Sequence, residues 1–492
     1  MLESRVRLQA GRNATQTRGF HSRSKSLMAL FLLFSLLFAT LAALLTAFID
    51  PLQFYHQPSW YTPLLSEEER YQNPGLAKNF DYDNIIIGTS MTQNFLPSQV
   101  SGQIGGTTLK LSMEGSTVDE HYQIARLALK TGKVKQVIWG LDYFSLKLET
   151  SDASGEFPDY LYDGKLWTDY KYWFNASVYW QFALSVKSML TGTPGKDLEH
   201  LNNWNDEVVF GKRHVAKSYL AVSDSEQYFG LNEESTGQLQ ENFSTYILPL
   251  LKEYPDVKFY FYYPPYSVMR QVAWYAGNPV RFSNQLMMRA WMYEQFRQLD
   301  NVTLYDFQSE QEWTFNLDLY KDLSHHSGEV NGWIAEAIGR QDAKYLVTGD
   351  NVNTLNEKLE AQAASAVIDG SGNVYQGSVE VNGNPVSFTS RLIQGNGQLW
   401  LSAKEIAAAL GAEVEWDAAG KTVTVDSGGH SIVMTIGSSK ALVDGTEFAL
   451  EAAPLLAGGK ALIPLAFTAE KLGWEAGCQQ ENGWIRYTLT SE

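Results

Sequence analysis

Residues 27–49, LMALFLLFSLLFATLAALLTAFI, run for 23 positions without one charged side chain. At about 1.5 Å per residue such a helix spans roughly 34 Å, enough to cross a hydrocarbon core of about 30 Å. A buried helix of a globular domain rarely runs so far without a polar face, so this stretch reads as a membrane span. Arg5, Arg7, Arg12, Arg18, Arg23 and Lys25 against Glu3 give residues 1–26 a charge of +5, which leaves −22 on the rest of a chain of net charge −17. Basic flanks stay on the cytoplasmic side, which puts the N-terminus inside and the bulk of the chain outside the cytoplasm. A cleaved signal peptide is the rival reading. Its apolar region usually runs about 7–15 residues to a small-residue cleavage site. This run is longer and leaves through Phe48-Ile49-Asp50-Pro51 with no A-x-A pattern. We expect an uncleaved, single-pass signal anchor at the cell membrane.

The acidic balance of the remainder argues against a nucleic-acid partner, because such proteins show a basic patch or high pI. The single cysteine, Cys478, excludes an intrachain disulfide and any cysteine-based metal site. At 492 residues the chain has room for several domains. Residues 1–26 read as a cytoplasmic tail, 27–49 as the anchor, 50–345 as an α/β domain, 346–378 as a polar linker with one helix, and 379–492 as a small α+β domain. In the α/β region, residues 84–88, 134–141, 257–263 and 302–307 read as buried strands. Residues 118–131, 241–254, 282–299 and 329–340 read as helices. This alternation predicts a parallel sheet covered on both faces, a three-layer fold. Residues 150–235 interrupt it with dense aromatics, among them Tyr160, Trp167, Tyr172, Trp173 and Trp180. They read as a helical insertion with its own small core, or as a lid or sugar-stacking platform. The last region holds an internal repeat. Residues 401–411, LSAKEIAAALG, match 463–473, IPLAFTAEKLG, at an offset of 62, and each copy runs on into a strand.

Two short patterns can carry chemistry. Gly88-Thr89-Ser90-Met91 follows the first strand, NIII, where a nucleophile sits at the carboxyl edge of a parallel sheet. Asp322-Leu323-Ser324-His325 lies just before the closing helix and can supply a general base with a carboxylate that orients it. His326 is the alternative base, since neighbouring loop residues point different ways. The serine follows the first strand and the histidine the last, an order that lets both meet over one sheet edge. A serine hydroxyl is a weak nucleophile until a base takes its proton. No phosphate-binding loop, dinucleotide fingerprint or H-E-x-x-H pattern is present, and no cofactor or metal is expected.

With these residues in place, the 50–345 region resembles an SGNH/GDSL-type hydrolase domain. It is most similar to the membrane-anchored extracytoplasmic branch that includes the D-alanine-transfer protein of teichoic acid synthesis and the alginate O-acetylation proteins. DYDNIIIGTSMTQNF resembles the first block and maps the nucleophile onto Ser90. KLSMEGST resembles the second, whose glycine offers a backbone N–H, here Gly115. YKDLSHHS resembles the last, D-x-x-H, and maps onto Asp322 and His325. The resemblance covers about three-fifths of the chain. It implies a Ser-His-Asp site with Gly115, and Asn94 as a substitute donor, in the oxyanion hole. Two departures stand out. Thr89 replaces the usual Asp before the serine, and Asp142 stands near the position where the third block provides an Asn. LWLSAKEIAAALGAEVEWDAAGKTVTV and ALIPLAFTAEKLGWEAG in 379–492 resemble the stalk domain named after the N-terminal region of copper amine oxidases. It implies a spacer or envelope-contact module, and its one histidine, His430, is too few for copper.

The resemblance implies an extracytoplasmic serine esterase or O-acyltransferase acting on a cell-envelope polysaccharide or polymer. The alternative is a binding or assembly protein on the same fold that partners a multi-pass membrane O-acyltransferase. A purely structural surface protein is the third reading.

Overall fold

The structure, a computed structural model, describes residues 2–148, 157–221, 235–390, 392–395, 398–457 and 459–491. The chain divides into two compact units. One is Met1–Phe80 with Gly155–Asp197, and the other is Asp81–Ser154 with Leu198–Glu492.

In the second unit, β1 (Asn84–Ile87), β2 (Thr108–Lys110), β3 (Gln136–Gly140), β4 (Lys258–Tyr263) and β5 (Val302–Asp306) form one sheet in the order β2-β1-β3-β4-β5. Every neighbouring pair is parallel, with Ile85 opposite both Leu109 and Val137. Successive residues of a strand face opposite sides, yet Ile85, Ile86 and Ile87 are all fully buried. Only a sheet covered on both faces accepts such a run. The helices that cover it pack in groups, Pro97–Ile104 with Gly328–Gly339, and Thr236–Tyr246 with both Val118–Leu129 and Pro279–Phe296. Helix Val118–Leu129 starts where its sequence dictates: Thr117 and Glu120 form a capping box that satisfies two end N–H groups. The α/β parallel-sheet class expected from the alternation is thus observed. β2, three residues long, was not read as a strand.

Strand order fixes where a site can lie. From β1 the chain moves outward to β2, then returns past β1 to β3, β4 and β5. At such a reversal the connections leave in opposite directions, which opens a crevice at the carboxyl ends of the two central strands. Ser90 follows β1 at that point.

Residues 346–378, expected as a linker with one helix, hold helix Val352–Ser365, strand Ala366–Ile368 and the start of strand Val374–Val381. Both strands belong to a nine-stranded sheet. The repeat appears as two strand–helix–hairpin units. Gln398–Ser402 leads into helix Ala403–Leu410, and Lys460–Pro464 leads into helix Leu465–Lys471. The leading strands pair antiparallel, with Leu401 opposite Ile463. Gly411 and Gly473 stop the two helices at φ of 67° and 83°, values a side chain rarely tolerates. This region shares a core with the α/β sheet. Val215, Tyr219, Met269 and Val272 form one buried cluster with Ala366, Ile368, Ile393 and Leu462. Ile393 and Leu462 of the 379–492 segment and Ala366 and Ile368 of the segment before it are thus buried with the helices of the α/β region.

The first unit carries helix Leu2–Ile49, of which Lys25–Ile49 is long and apolar enough to cross a membrane and is mostly exposed, with Thr46 and Ile49 buried in its last turn. Of the aromatic stretch 150–235, residues 157–197 belong to this unit and 198–221 to the sheet unit. Residues 150–156 and 222–234 lie outside the described residues.

A buried ion pair locks the end of β5. Arg289 Nη1 and Nη2 lie 3.1 and 2.9 Å from the two oxygens of Asp306, and Arg289 also donates to Gln308 and Asn356 at 2.7 Å each. Removing one partner strands the other charge away from water. We expect Arg289→Met to lower stability by about 3–5 kcal/mol, and Arg289→Met with Asp306→Leu to recover much of it. Denaturant unfolding of the three proteins measures this.

Candidate active site

The turn after β1 is built for close packing. A Cβ on Gly88 would lie 2.5 Å from Thr92 Cγ2, so only glycine lets the chain fold back beneath the strand end. Thr92 Oγ1 then sits 2.8 Å from the Thr89 carbonyl and 2.6 Å from Ser112 Oγ. The buried Lys110 ammonium donates to the carbonyls of Gln93 and Phe95, tying this turn to β2. Ser90 opens a single 3-10 turn, Ser90–Thr92, and keeps partial access to solvent.

His325 comes from the loop between β5 and the closing helix. Its Nε2 is 2.8 Å from Ser90 Oγ. Its Nδ1 is 2.8 Å from Asp322 Oδ2 and 3.0 Å from Oδ1. Asp322 Oδ1 also accepts the backbone N–H groups of Ser324 (2.8 Å) and His325 (2.9 Å), so one carboxylate shapes the loop and faces the ring. Burial works against the Asp322 charge. The bond from His325 and the two backbone donors outweigh it, and hold its carboxyl well below the usual range. Ser90, His325 and Asp322, named from three separate positions of the sequence, thus form one hydrogen-bonded chain. In such a chain the hydroxyl can pass its proton to the imidazole while the carboxylate fixes the ring's orientation.

The other expected residues fall differently. His326 faces away from Ser90. It is buried at 1% exposure, lies edge-on to Tyr320, and bonds the Ser327 carbonyl through Nδ1 at 3.2 Å. Burial, opposed by that bond, pushes its pKa down to about 4, so the ring stays neutral near pH 7. Asn94 is also covered. Its Oδ1 accepts from the Trp204 N–H at 3.1 Å, and its Nδ2 is buried without a partner. An amide with no accessible surface does not reach a substrate oxygen in this conformation, so Asn94 anchors a loop here rather than lining an oxyanion hole. Gly115 lies in the loop after β2, at the same sheet edge, with φ of 58°.

Thr89 and Asp142 are bonded to each other. Asp142 is buried at the end of β3 and accepts from Thr89 Oγ1 (2.9 Å), Phe144 N (3.2 Å) and the Tyr266 hydroxyl. Burial and the Asp142 charge push the Tyr266 phenol well above its usual pKa, so it remains a donor. A carboxylate that already accepts three hydrogen bonds serves as an internal brace for the serine turn.

Sequence reasoning missed the segment that bridges the two loops. Trp204 meets the His325 ring edge-on at 5.7 Å and 86°, and Lys321 Nζ lies 4.0 Å over the Trp204 ring. Asn203 and the Trp204 N–H bind Asn94 on the serine side, while Asn205 Oδ1 accepts from Gly328 N (2.7 Å) on the histidine side. The signal was legible in LNNWNDE: asparagines flanking an aromatic in a polar loop often bond neighbouring backbone. Asn331 Nδ2 adds a link from the closing helix to the Met91 carbonyl, 3.1 Å. Two surface depressions, one at Glu413 and His430 and one at Arg213 and Lys217, include none of these residues.

Comparison with known proteins adds one domain. Residues 380–486 match the family described as the copper amine oxidase N-terminal domain. Its name brings no copper site here. Copper(II) prefers several imidazoles, and the one histidine in this segment, His430, is hydrogen-bonded to Asp444 at 2.8 Å. No curated protein matches the chain. Among solved structures, a Streptococcus pneumoniae chain provisionally described as a platelet activating factor is similar at 11% identity and a TM-score of 0.30. That match covers 57% of this chain and 92% of that one. At that score the two folds correspond too loosely for residue-by-residue comparison.

The Asp322 contacts give a stability prediction with a definite sign. A carboxyl held below its unfolded value stabilises the folded state above that value, and the benefit fades as pH falls toward the folded one. Asp322→Asn should therefore melt below wild type at pH 5 to 7, with the gap closing as pH drops under about 4. Thermal unfolding across that range checks this.

Proposed function

We propose that this chain is a membrane-anchored, extracytoplasmic serine esterase or O-acyltransferase that acts on an acylated cell-envelope polymer. The observation that carries the reading is the continuous hydrogen-bonded line Ser90–His325–Asp322. Ser90 Oγ attacks the acyl carbonyl carbon while its proton moves to His325 Nε2, and Asp322 holds the Nδ1–H. The tetrahedral intermediate collapses, the bond to the alcohol oxygen breaks, and His325 returns the proton to that oxygen. Ser90 is left acylated. Attack by water completes hydrolysis, and attack by a polymer hydroxyl completes transfer. The N–H groups of Ser90 and Gly115 are the oxyanion donors in this scheme. The helix Lys25–Ile49 is the uncleaved anchor, with residues 1–24 on the cytoplasmic side.

A second reading has its own motive. With Asp142 serving as a brace, the third-block donor is missing, and losing one such donor costs roughly 10²–10³ in rate. An assembly partner of a multi-pass membrane acyltransferase would tolerate that loss.

Treating the detergent-solubilised full chain with a fluorophosphonate probe separates the two. Labelling of wild type, absent in Ser90→Ala and strongly slowed in His325→Ala, supports the enzyme. A folded chain that never labels supports the partner. With a chromogenic acetyl ester, Ser90→Ala and His325→Ala should each lower kcat by about 10⁴-fold or more, with KM little changed. His326→Gln should leave kcat near wild type.

A further inference from the structure

Helix Ala176–Thr191 buries two polar side chains and leaves large apolar ones open. Its fully buried positions are Val178, Gln181 and Ser185, and the half-buried Phe182 packs edge-on against Tyr61 at 5.5 Å. Gln181 Nε2 donates to the Leu64 carbonyl (2.7 Å), and Ser185 Oγ accepts from the Leu64 N–H (3.0 Å) and donates to the Gln181 carbonyl (3.0 Å). Its open side is apolar, with Trp180 66% and Leu190 83% exposed and Lys187 as its one charge. The segment before it leaves Leu166, Trp167 and Phe174 exposed as well, Trp167 at 74%. A surface helix in water turns its polar side outward. A contiguous apolar face of this kind is covered in the working molecule.

The last turn of the apolar helix indicates what covers it. Thr46 Oγ1 lies 2.6 Å from the Tyr179 hydroxyl and 3.4 Å from the Trp173 carbonyl. Trp60 stacks on Phe48 at 5.2 Å, and the Tyr61 hydroxyl donates to the Ile49 carbonyl at 2.8 Å. The turn that follows is pinned by Asp50, whose carboxylate accepts from the N–H groups of Phe54, Tyr55 and His56 and from the Tyr172 hydroxyl. These contacts tie the start of helix Ala176–Thr191 and the segment before it to the last turn of the apolar helix. At about 1.5 Å per residue the 25 residues of Lys25–Ile49 run some 37 Å, several ångströms beyond a hydrocarbon core of about 30 Å. The last turn then lies in the headgroup zone, where tryptophan and tyrosine rings settle.

We infer that helix Ala176–Thr191 and the segment before it form a membrane-interface collar, with Trp167, Trp180 and Leu190 seated at the boundary between headgroups and acyl chains. The inference rests on Lys25–Ile49 being a span. The occupant is lipid because this exposed apolar face starts beside the last turn of that exposed apolar helix, where Thr46 meets Tyr179 and Trp173. A single helix lets the attached chain tilt and rotate, and a lateral apolar contact fixes this unit on the bilayer.

Environment-sensitive probes test it in the full chain. In a Cys478→Ser background, Trp167→Cys, Trp180→Cys, Leu190→Cys and, within the span, Leu44→Cys are each labelled with a nitrobenzoxadiazole dye. They are then reconstituted into phosphatidylcholine–phosphatidylglycerol vesicles with or without nitroxide-labelled lipid. The expected result is blue-shifted emission and strong nitroxide quenching at 167, 180 and 190, deepest with a nitroxide near the headgroup. Quenching at Leu44→Cys alone overturns the collar and leaves the span intact. No quenching at any position overturns both. Shielding of 180 and 190 from aqueous iodide in native membranes, without lipid quenching in vesicles, assigns the face to a protein partner and also overturns the collar.

Discussion

Ser90 and His325 stand 235 positions apart in sequence and share a 2.8 Å hydrogen bond. That bond exists only if the chain end of β1 and the loop after β5 converge on one edge of one sheet. The order β2-β1-β3-β4-β5 meets this demand. Reversal at β1 leaves the crevice open, and parallel pairing sends every strand's carboxyl end the same way. The two loops are then tied at several points: Lys110 holds the serine turn, Asp322 shapes the histidine loop, and the Asn203–Asn205 segment binds both. The geometry is thus supported by buried polar contacts rather than by the reacting groups alone.

The neighbourhood of Asp142 shows a buried carboxylate put to structural use. In this chain the carboxylate is met by Thr89, the residue that departs from the pattern beside it, and by Tyr266 from beyond β4. An acceptor with three donors is satisfied in a buried place where an unpaired charge would be costly. Thr89 and Asp142 therefore form a matched pair that braces the serine turn.

Much of the fold was legible because its signals are local. Four of the five strands were found as short apolar runs. β2 was not, since three residues, Thr108–Lys110, carry no periodicity of their own. The repeat was legible through self-similarity, and its helix-stopping glycines fall at the same offset. The fusion of the C-terminal region onto the α/β unit was not, because Ala366, Ile368 and Leu462 look like ordinary strand residues until Val215 and Met269 are found against them. Ser90, Asp322 and His325 were named from the sequence, with His326 kept as the alternative base, because which ring turns toward the serine depends on the fold of one loop.

The sequence by itself determined the uncharged stretch that can span a bilayer, the parallel α/β class, the repeat, and the residue types able to act as nucleophile and base. These follow from hydrophobicity, periodicity and chemistry that each residue carries with it. Tertiary structure decided which of two adjacent histidines faces the serine, that Asp142 and Asn94 are internal braces, that Trp204 contacts the imidazole, and that Trp180 and Leu190 point outward. Each of these depends on what distant segments place around a side chain. Burial and hydrogen-bond partners are properties of that assembled surrounding, and no local pattern encodes them.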